Sequence, residues 1–451
     1  MCIPRFSRSI FLLCAVAVAS PSQTFTTLVN FNGPNGSNPL SYGSLVQGVN
    51  GYFYGTTEHG GSSGYGTVFV MTPQGQLKTL HTFVYTAGFN PTAGLMLAPD
   101  GTLYGTTTWG GTNSIGTIFR ITPSGTLTTL HSFSGADGAY PYAGLVQGFD
   151  GMLYGTASQG GDGGGVIYQI TPGGTLTTLY SLNFTDGDAP FGALVQATNG
   201  MLYGTTELGE AWGTIYAISL SGSFTTLFSF NNTDGSLPFS GLVQGVDGAF
   251  YGTTSWGGAS DCGTVFRITP AGMLTTLHNF DRSDGARPYA VLVQGTDGNF
   301  YGTTAKGGDH DYGTIFVITP TGALTTLHSF GGTDGASPSG GLVQGTDGSF
   351  YGSTGYGGSG LYGTVYRLSM GLGPFVRTVP AFGKVGASVT ILGTDLTGAT
   401  SVTFNGTPAS INAVHPSAIT VTVPGGATTG TVVVTTPSGT LSSNIAFQVL
   451  P

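Results

Sequence analysis

Residues 241–280 read GLVQGVDGAFYGTTSWGGASDCGTVFRITPAGMLTTLHNF, four short apolar runs separated by turn residues. The runs GLVQG, AFYGTT, GTVFRIT and MLTTLHNF have the length and the β-branched and aromatic content of strands. Asp247-Gly248 separates the first two runs, a pair favoured where a hairpin needs positive φ. Between the third and fourth, Pro270 presets φ and gives up a donor that a turn does not need. Val265, Phe266 and Ile268 put apolar groups on both faces of the third strand, as expected of a sheet covered on both sides.

The stretch recurs along the chain. Tyr-Gly-Thr, once Tyr-Gly-Ser, begins at Tyr54, Tyr104, Tyr154, Tyr203, Tyr251, Tyr301 and Tyr351, at intervals of 50, 50, 49, 48, 50 and 50 residues. Four strands in about 50 residues suit a propeller blade, and an open solenoid is the rival. The chain ends separate the two. A fourth-strand sequence, Phe25–Phe31 (FTTLVNF), precedes any first strand, and the last unit stops after Val365-Tyr366-Arg367-Leu368. If the amino-terminal strand completes the last blade, the ring closes without an exposed edge. The sequence therefore predicts an all-β chain with a seven-bladed β-propeller over residues 24–370.

The motif GLVQGxDGxxYGTTxxGG followed by GTVFRITPxGxLTTLHSF resembles the Gloeo/Verruco tandem repeat of exported bacterial proteins described as choice-of-anchor. That resemblance implies a secreted repeat protein and brings no activity with it. After Gly371 the texture changes to the β-branched runs GASVTILGTDL, SVTFNGTPA, ITVTVPGG, GTVVVTT and NIAFQVL. Residues 374–451 resemble an IPT/TIG domain, which implies an immunoglobulin-like β-sandwich serving as a spacer or binding unit.

Composition narrows the function. The 80 glycines follow no Gly-x-y period, which excludes collagen, and 28 Phe with 21 Tyr supply enough apolar surface for a core. Only 11 Lys and Arg stand against 20 Asp and Glu, with no basic cluster, so nucleic acid is not an expected partner. Residues 1–20 read as a secretory signal peptide: Arg5 and Arg8, an apolar run from Ile10 to Ala19, and Ala17-Val18-Ala19 for cleavage. That run is too short to span a bilayer and no later one is longer, so a secreted or cell-surface location without a membrane span is expected. Once Cys2 and Cys14 are cleaved off, Cys262 remains alone and makes no internal disulfide.

Strand parity divides the ring into two faces. The first-to-second and third-to-fourth turns, nearly uniform in sequence, share one; the loops after Tyr-Gly-Thr and the crossovers between blades share the other. Five residues past each tyrosine the chain varies: His59, Trp109, Gln159, Leu208, Trp256, Lys306 and Tyr356. A constant scaffold with one varied loop is the layout of a recognition surface. Trp109, Trp256 and Tyr356 are its candidate sugar-stacking rings, with His59, Gln159 and Lys306 as polar ligand contacts. The plainer reading has each ring filling the gap between its loop and the next blade.

Other polar sets have bland explanations. Asp137, Asp186, Asp234, Asp284 and Asp334 precede Gly in the crossovers, where a carboxylate caps its own turn. Asp309-His310-Asp311, the densest acidic group, lacks the oxygens of a calcium site, and Glu58-His59 and Glu207/Glu210 lie on other blades. His81, His131, His278 and His328 share an outer-strand position too far from the axis to converge on a metal, and read as half-buried. Gln47, Gln147, Gln196, Gln244, Gln294 and Gln344, with Leu97 breaking the set, belong to the innermost strand, where mutual hydrogen bonding is the expected role. No nucleophile elbow, paired-cysteine zinc site or phosphate loop occurs, so no catalytic residue, metal or cofactor is assigned. The reading is a non-catalytic binding or adhesion scaffold for a polysaccharide or a cell-surface protein. An extracellular glycan-active enzyme and a purely structural surface component are the alternatives, and the oligomeric state is left open.

Overall fold

The computed structural model describes residues 23–39, 42–209 and 212–451; the stretch 1–20, read from the sequence as a signal peptide, lies outside them. Apart from one 3-10 turn, Tyr85–Ala87, the elements are strands, and no described helix is long and apolar enough to cross a membrane.

Each repeat forms one antiparallel sheet in chain order. In repeat 5 the strands Val243–Gln244, Phe250–Thr254, Thr264–Ile268 and Leu274–Asn279 lie side by side, and only Arg267 of the third strand escapes full burial. Repeat 1 carries an extra strand, Ser37–Pro39, beside Phe53–His59. The seventh sheet takes its outer strand from the other end of the chain, with Thr24–Asn30 antiparallel to Thr364–Ser369, as the offset of the ends predicts.

The turns show what their residues are for. In repeat 5, Gly248 donates to the Gly245 carbonyl (2.9 Å) at a φ of 78°. That is a type I turn closed by a left-handed glycine, so only the glycine needs positive φ. Asp247 acts through its side chain, one oxygen accepting the Ala249 N–H (3.1 Å) and the other the Tyr251 hydroxyl (3.0 Å). The turn thereby tethers the tyrosine of Tyr-Gly-Thr, as Asp150, Asp297 and Asp347 do for Tyr154, Tyr301 and Tyr351. The following glycine is needed for space, since a Cβ on Gly252 would stand 2.6 Å from the Phe266 ring and 2.9 Å from Leu242.

Successive sheets bury their faces against each other, and the seventh packs on the first through Tyr351, Val343 and Val365 against Phe53, Phe69 and Met71. Tyr251 on Phe300, Tyr301 on Phe350 and Tyr351 on Phe53 repeat one ring contact, with centroids 3.9 to 4.1 Å apart. A hydroxyl on each second strand donates to the next crossover, from Thr56 to the Ala93 carbonyl (3.0 Å) through to Ser353 and the Pro39 carbonyl (3.3 Å).

The glutamines do not bond to one another, which corrects the expectation. Five of the six carboxamide oxygens accept a turn N–H of the preceding repeat: Phe149 to Gln196, Thr198 to Gln244, Val246 to Gln294, Thr296 to Gln344 and Thr346 to Gln47, at 2.8 to 3.1 Å. The amide then donates to its own turn glycine, as Gln294 does to Gly298 (2.9 Å). The gap in the set follows the same rule. Leu97 offers no oxygen to Val49, and Gln147 faces Pro99, which has no N–H to give.

Beyond the repeats, two sheets face each other across a core that joins Val389, Ile391, Ile419 and Val421 to Val402, Phe404, Val432 and Val434. They rest on the hairpin-turn face. Ser417 donates to the Val49 carbonyl (2.8 Å), Thr390 to Pro99 (3.3 Å) and Gln448 to Thr198 (2.9 Å), while Phe382 packs on Phe149.

Gln47→Leu leaves the buried Thr346 N–H without an acceptor and should cost about 1–3 kcal/mol in urea unfolding. Gln294→Leu should cost under about 1 kcal/mol, because exposed Val246 regains water. Equal losses would show that the glutamines do not act through these bonds.

Candidate ligand-binding face

On the opposite face, each varied loop is held by its backbone. The residue five past the tyrosine pairs with the crossover entering its repeat, as Trp109 does with Phe89, Trp256 with Ser236 and Tyr356 with Ala336. The next crossover residue, before the proline, takes a left-handed conformation: Asn38, Asn90, Tyr140, Ala189, Leu237, Arg287 and Ser337 lie at φ of 53 to 57°. For residues other than glycine this is a strained state of about 1–3 kcal/mol that persists only where the surroundings enforce it. The strain places side chains beside the varied residues. Tyr140 packs on Trp109 at 4.5 Å, the Arg287 guanidinium lies 4.1 Å over Trp256, and Asn38 donates to Glu58 (2.7 Å).

The six candidate residues therefore sit in equivalent positions on six of the seven repeats, Leu208 holding that place in the fourth. Trp109 and Tyr356 are 38% and 58% exposed, and His59, Gln159 and Lys306 are exposed as well. Trp256 is half-buried beneath Arg287, so the packing role fits it best of the three rings.

Closer to the axis lies a group that sequence reasoning missed. Tyr142, Phe191, Phe239 and Tyr289 each follow a crossover proline, and Tyr42 joins them from repeat 1. Phe191 stacks on Phe239 at 4.7 Å, Tyr142 meets Phe191 edge-on at 4.7 Å, and Tyr42 reaches Phe239 at 4.6 Å. The recurrence of an aromatic after that proline was the available signal. Tyr42, Phe191 and Phe239 cap a cavity of about 160 Å³ lined by glycines such as Gly94, Gly144 and Gly241.

Two carboxylates bear on this group. Burial first, then the charge of Glu58, pushes the Tyr42 hydroxyl up to about 12. Burial, and next Glu58, also raises Tyr142, with a smaller contribution from Glu207. Glu207 itself is raised by burial and by the charge of Asp188. Glu210 lies outside the described residues.

The remaining polar sets are structural. Asp311 accepts from Gly307 N–H (2.9 Å) and pairs with Arg282 (2.8 Å), while Asp309 donates its N–H to Ser329. Among the described residues no three His, Cys, Asp or Glu side chains gather as a metal would require. The outer-strand histidines are half-buried as expected, with partners the sequence did not reveal. His131 meets Asp137, His278 meets Asp284 and His328 meets Asp334 at 2.7 to 2.8 Å, and Tyr180 takes the same place beside Asp186. His81 faces Ala87 instead, and its buried Nε2 has no partner.

Family-level comparison of the sequence matches the Gloeobacter/Verrucomicrobia repeat over residues 15–212 and 208–415. The chain belongs to the Gloeobacter/Verrucomicrobia repeat family. The second match runs past the last repeat strand, which ends at Ser369. No curated protein matches this repeat protein. Among solved structures it is similar to virginiamycin B lyase from Staphylococcus aureus, at 16% identity over 77% of this chain and 99% of that one, with a TM-score of 0.54. The extracellular domain of a one-component system from B. thetaiotaomicron matches at 12% identity over 95% of this chain and 58% of that one, with a TM-score of 0.53. A gluconolactonase from Xanthomonas campestris, at 14% identity over 69% and 93% of the two chains, has a TM-score of 0.43. These likenesses concern fold alone: the repeat protein is all-β and propeller-like, built of four-stranded antiparallel sheets.

Asp137 links the repeats to pH. Burial pushes its carboxyl up, but hydrogen bonds from Ser134 and His131 outweigh burial and hold it below the usual range. A depressed carboxylate stabilises the fold above its unfolded value of about 3.9 and loses that contribution as pH falls through the folded value. Asp137→Asn should lower the melting temperature at pH 6 and converge with the parent at the acid end of a pH 2–7 series. A constant difference throughout would rule out the linkage.

Proposed function

We propose that this repeat protein is a seven-bladed β-propeller joined to an immunoglobulin-like IPT/TIG module, exported by its amino-terminal leader, and that it binds a polysaccharide without cleaving it. The observation that carries this reading is the aromatic group around the axis, Tyr42, Tyr142, Phe191, Phe239 and Tyr289, within a circle of exposed varied residues. Rings with a polar edge give rigid area at low entropy cost and suit the faces of sugars. The opposite face is partly occupied by the chain's own carboxyl-terminal sheets, which leaves the varied face as the free one.

A second reading, a glycan-active enzyme, draws on Glu207, whose pKa is raised by burial and by Asp188 in the way of a general acid. One experiment separates the two. In affinity electrophoresis across soluble polysaccharides, the parent should be retarded, and Trp109→Ala with Phe239→Ala should weaken retention about tenfold, with no new reducing ends. New reducing ends that disappear in Glu207→Gln would establish the enzyme. Retention unchanged in the double variant would remove the varied face from the account.

A further inference from the structure

Where the carboxyl-terminal sheets rest on the repeats they leave a cavity of about 820 Å³, lined by Tyr52 and Gln74 of repeat 1, Asp100 of repeat 2, Asp347 of repeat 7 and Asp395 of the carboxyl-terminal unit. Pockets of roughly 300–1,000 Å³ are the size that encloses small organic ligands. Its walls are tied together by Ser417 on the Val49 carbonyl (2.8 Å), Thr390 on Pro99 (3.3 Å) and a hydroxyl bond between Thr346 and Thr394 (2.9 Å).

The turns of this face are nearly uniform, yet they depart from the pattern on this cavity. Tyr52 follows the turn glycine where the other repeats carry Thr102, Met152, Met201, Ala249, Asn299 and Ser349, and its ring is 41% exposed. Gln74 stands where the other turns of its kind have Ser124, Gly173, Ser221, Ala271 and Thr321. Neither turn depends on these side chains, since Gly51 donates to the Gly48 carbonyl and Gly75 to the Thr72 carbonyl, both at 2.9 Å. Asp100 departs as well. One oxygen accepts the Thr102 N–H (2.9 Å), but the Tyr104 hydroxyl accepts from Arg120, so Asp100 is relieved of the tether that Asp150, Asp297 and Asp347 make.

The lining decides the class of ligand. An anion would meet three carboxylates, and no three acidic, His or Cys side chains among the described residues gather as a metal would require. The carboxylates are not left as bare charge, because Asp100 and Arg120 act together on Tyr104, and Asp347 and Arg367 on Tyr351. An exposed aromatic ring, a carboxamide that both donates and accepts, and carboxylate acceptors suit a neutral molecule with an apolar face and several hydroxyl donors. We propose that this junction cavity is a binding site for a short uncharged saccharide, its ring stacked on Tyr52 and its hydroxyls donating to Asp100 and Asp395. The site lies on the face opposite the varied loops and does not rest on the polysaccharide reading of that face.

The test is saturation-transfer NMR on the full chain with glucose, galactose, mannose, N-acetylglucosamine, cellobiose and lactose, and with putrescine as a cationic control. At least one sugar should give a transfer signal that saturates with concentration. Tyr52→Thr with Gln74→Ser, which gives repeat 1 the residues that repeat 2 carries at those places, should weaken that sugar about tenfold. Trp109→Ala with Phe239→Ala, on the other face, should leave it unchanged. No transfer from any sugar, or transfer unaltered in the Tyr52 and Gln74 variant, overturns the site. Loss in the Trp109 and Phe239 variant instead places the sugar on the varied face and also overturns it, and a response to putrescine alone overturns the ligand class.

Discussion

The bond on which the architecture depends is the one from a turn N–H in one repeat to a glutamine oxygen in the next. It crosses the gap between sheets whose own ladders are complete, at the point where the innermost strands converge. Ring contacts between Tyr351 and Phe53, and the hydroxyl bond from Ser353 to Pro39, repeat the logic further out. Each is worth about 1 kcal/mol; the glutamine bond recurs at five of the seven junctions, including the one that joins the last repeat to the first. The amino-terminal strand adds the covalent side of the closure, because the final sheet draws strands from both ends of the chain.

This arrangement separates two duties. The hairpin-turn face is uniform because its residues make the clasp: the turn aspartates tether tyrosines, and the turn glycines supply the left-handed position. It is also where the carboxyl-terminal sheets rest, through Ser417, Thr390 and Gln448. The other face is anchored by backbone pairing and by the strained residue before each proline, so its side chains are free to differ. Trp109, Lys306 and Tyr356 occupy one backbone geometry with three chemistries.

Much of this was legible in the sequence because it is local. A turn needs Asp-Gly or Pro-x-Gly wherever it occurs, and seven copies made the period and the offset ends plain. The gathering of the varied loops on one face also followed from strand parity. What escaped depends on neighbours distant in the chain. The role of Gln47 cannot be read without Thr346 beside it, and the silence of Gln147 is explained only by Pro99. Phe191 and Phe239 looked like ordinary crossover residues until the packing of successive sheets brought them together. The contacts of Ser417, Thr390 and Gln448 are set by the docking of one unit on another, for which no periodicity exists.

All three tryptophans of the chain, Trp109, Trp212 and Trp256, stand in loops after Tyr-Gly-Thr, so tryptophan emission, excited selectively over that of the 21 tyrosines, reports the varied face. The most direct measurement is therefore a tryptophan-fluorescence titration of the protein with each soluble polysaccharide. Binding at that face predicts a saturable change in emission for at least one of them. Emission that stays flat with every polysaccharide, including any that the protein demonstrably retains, would contradict the central claim.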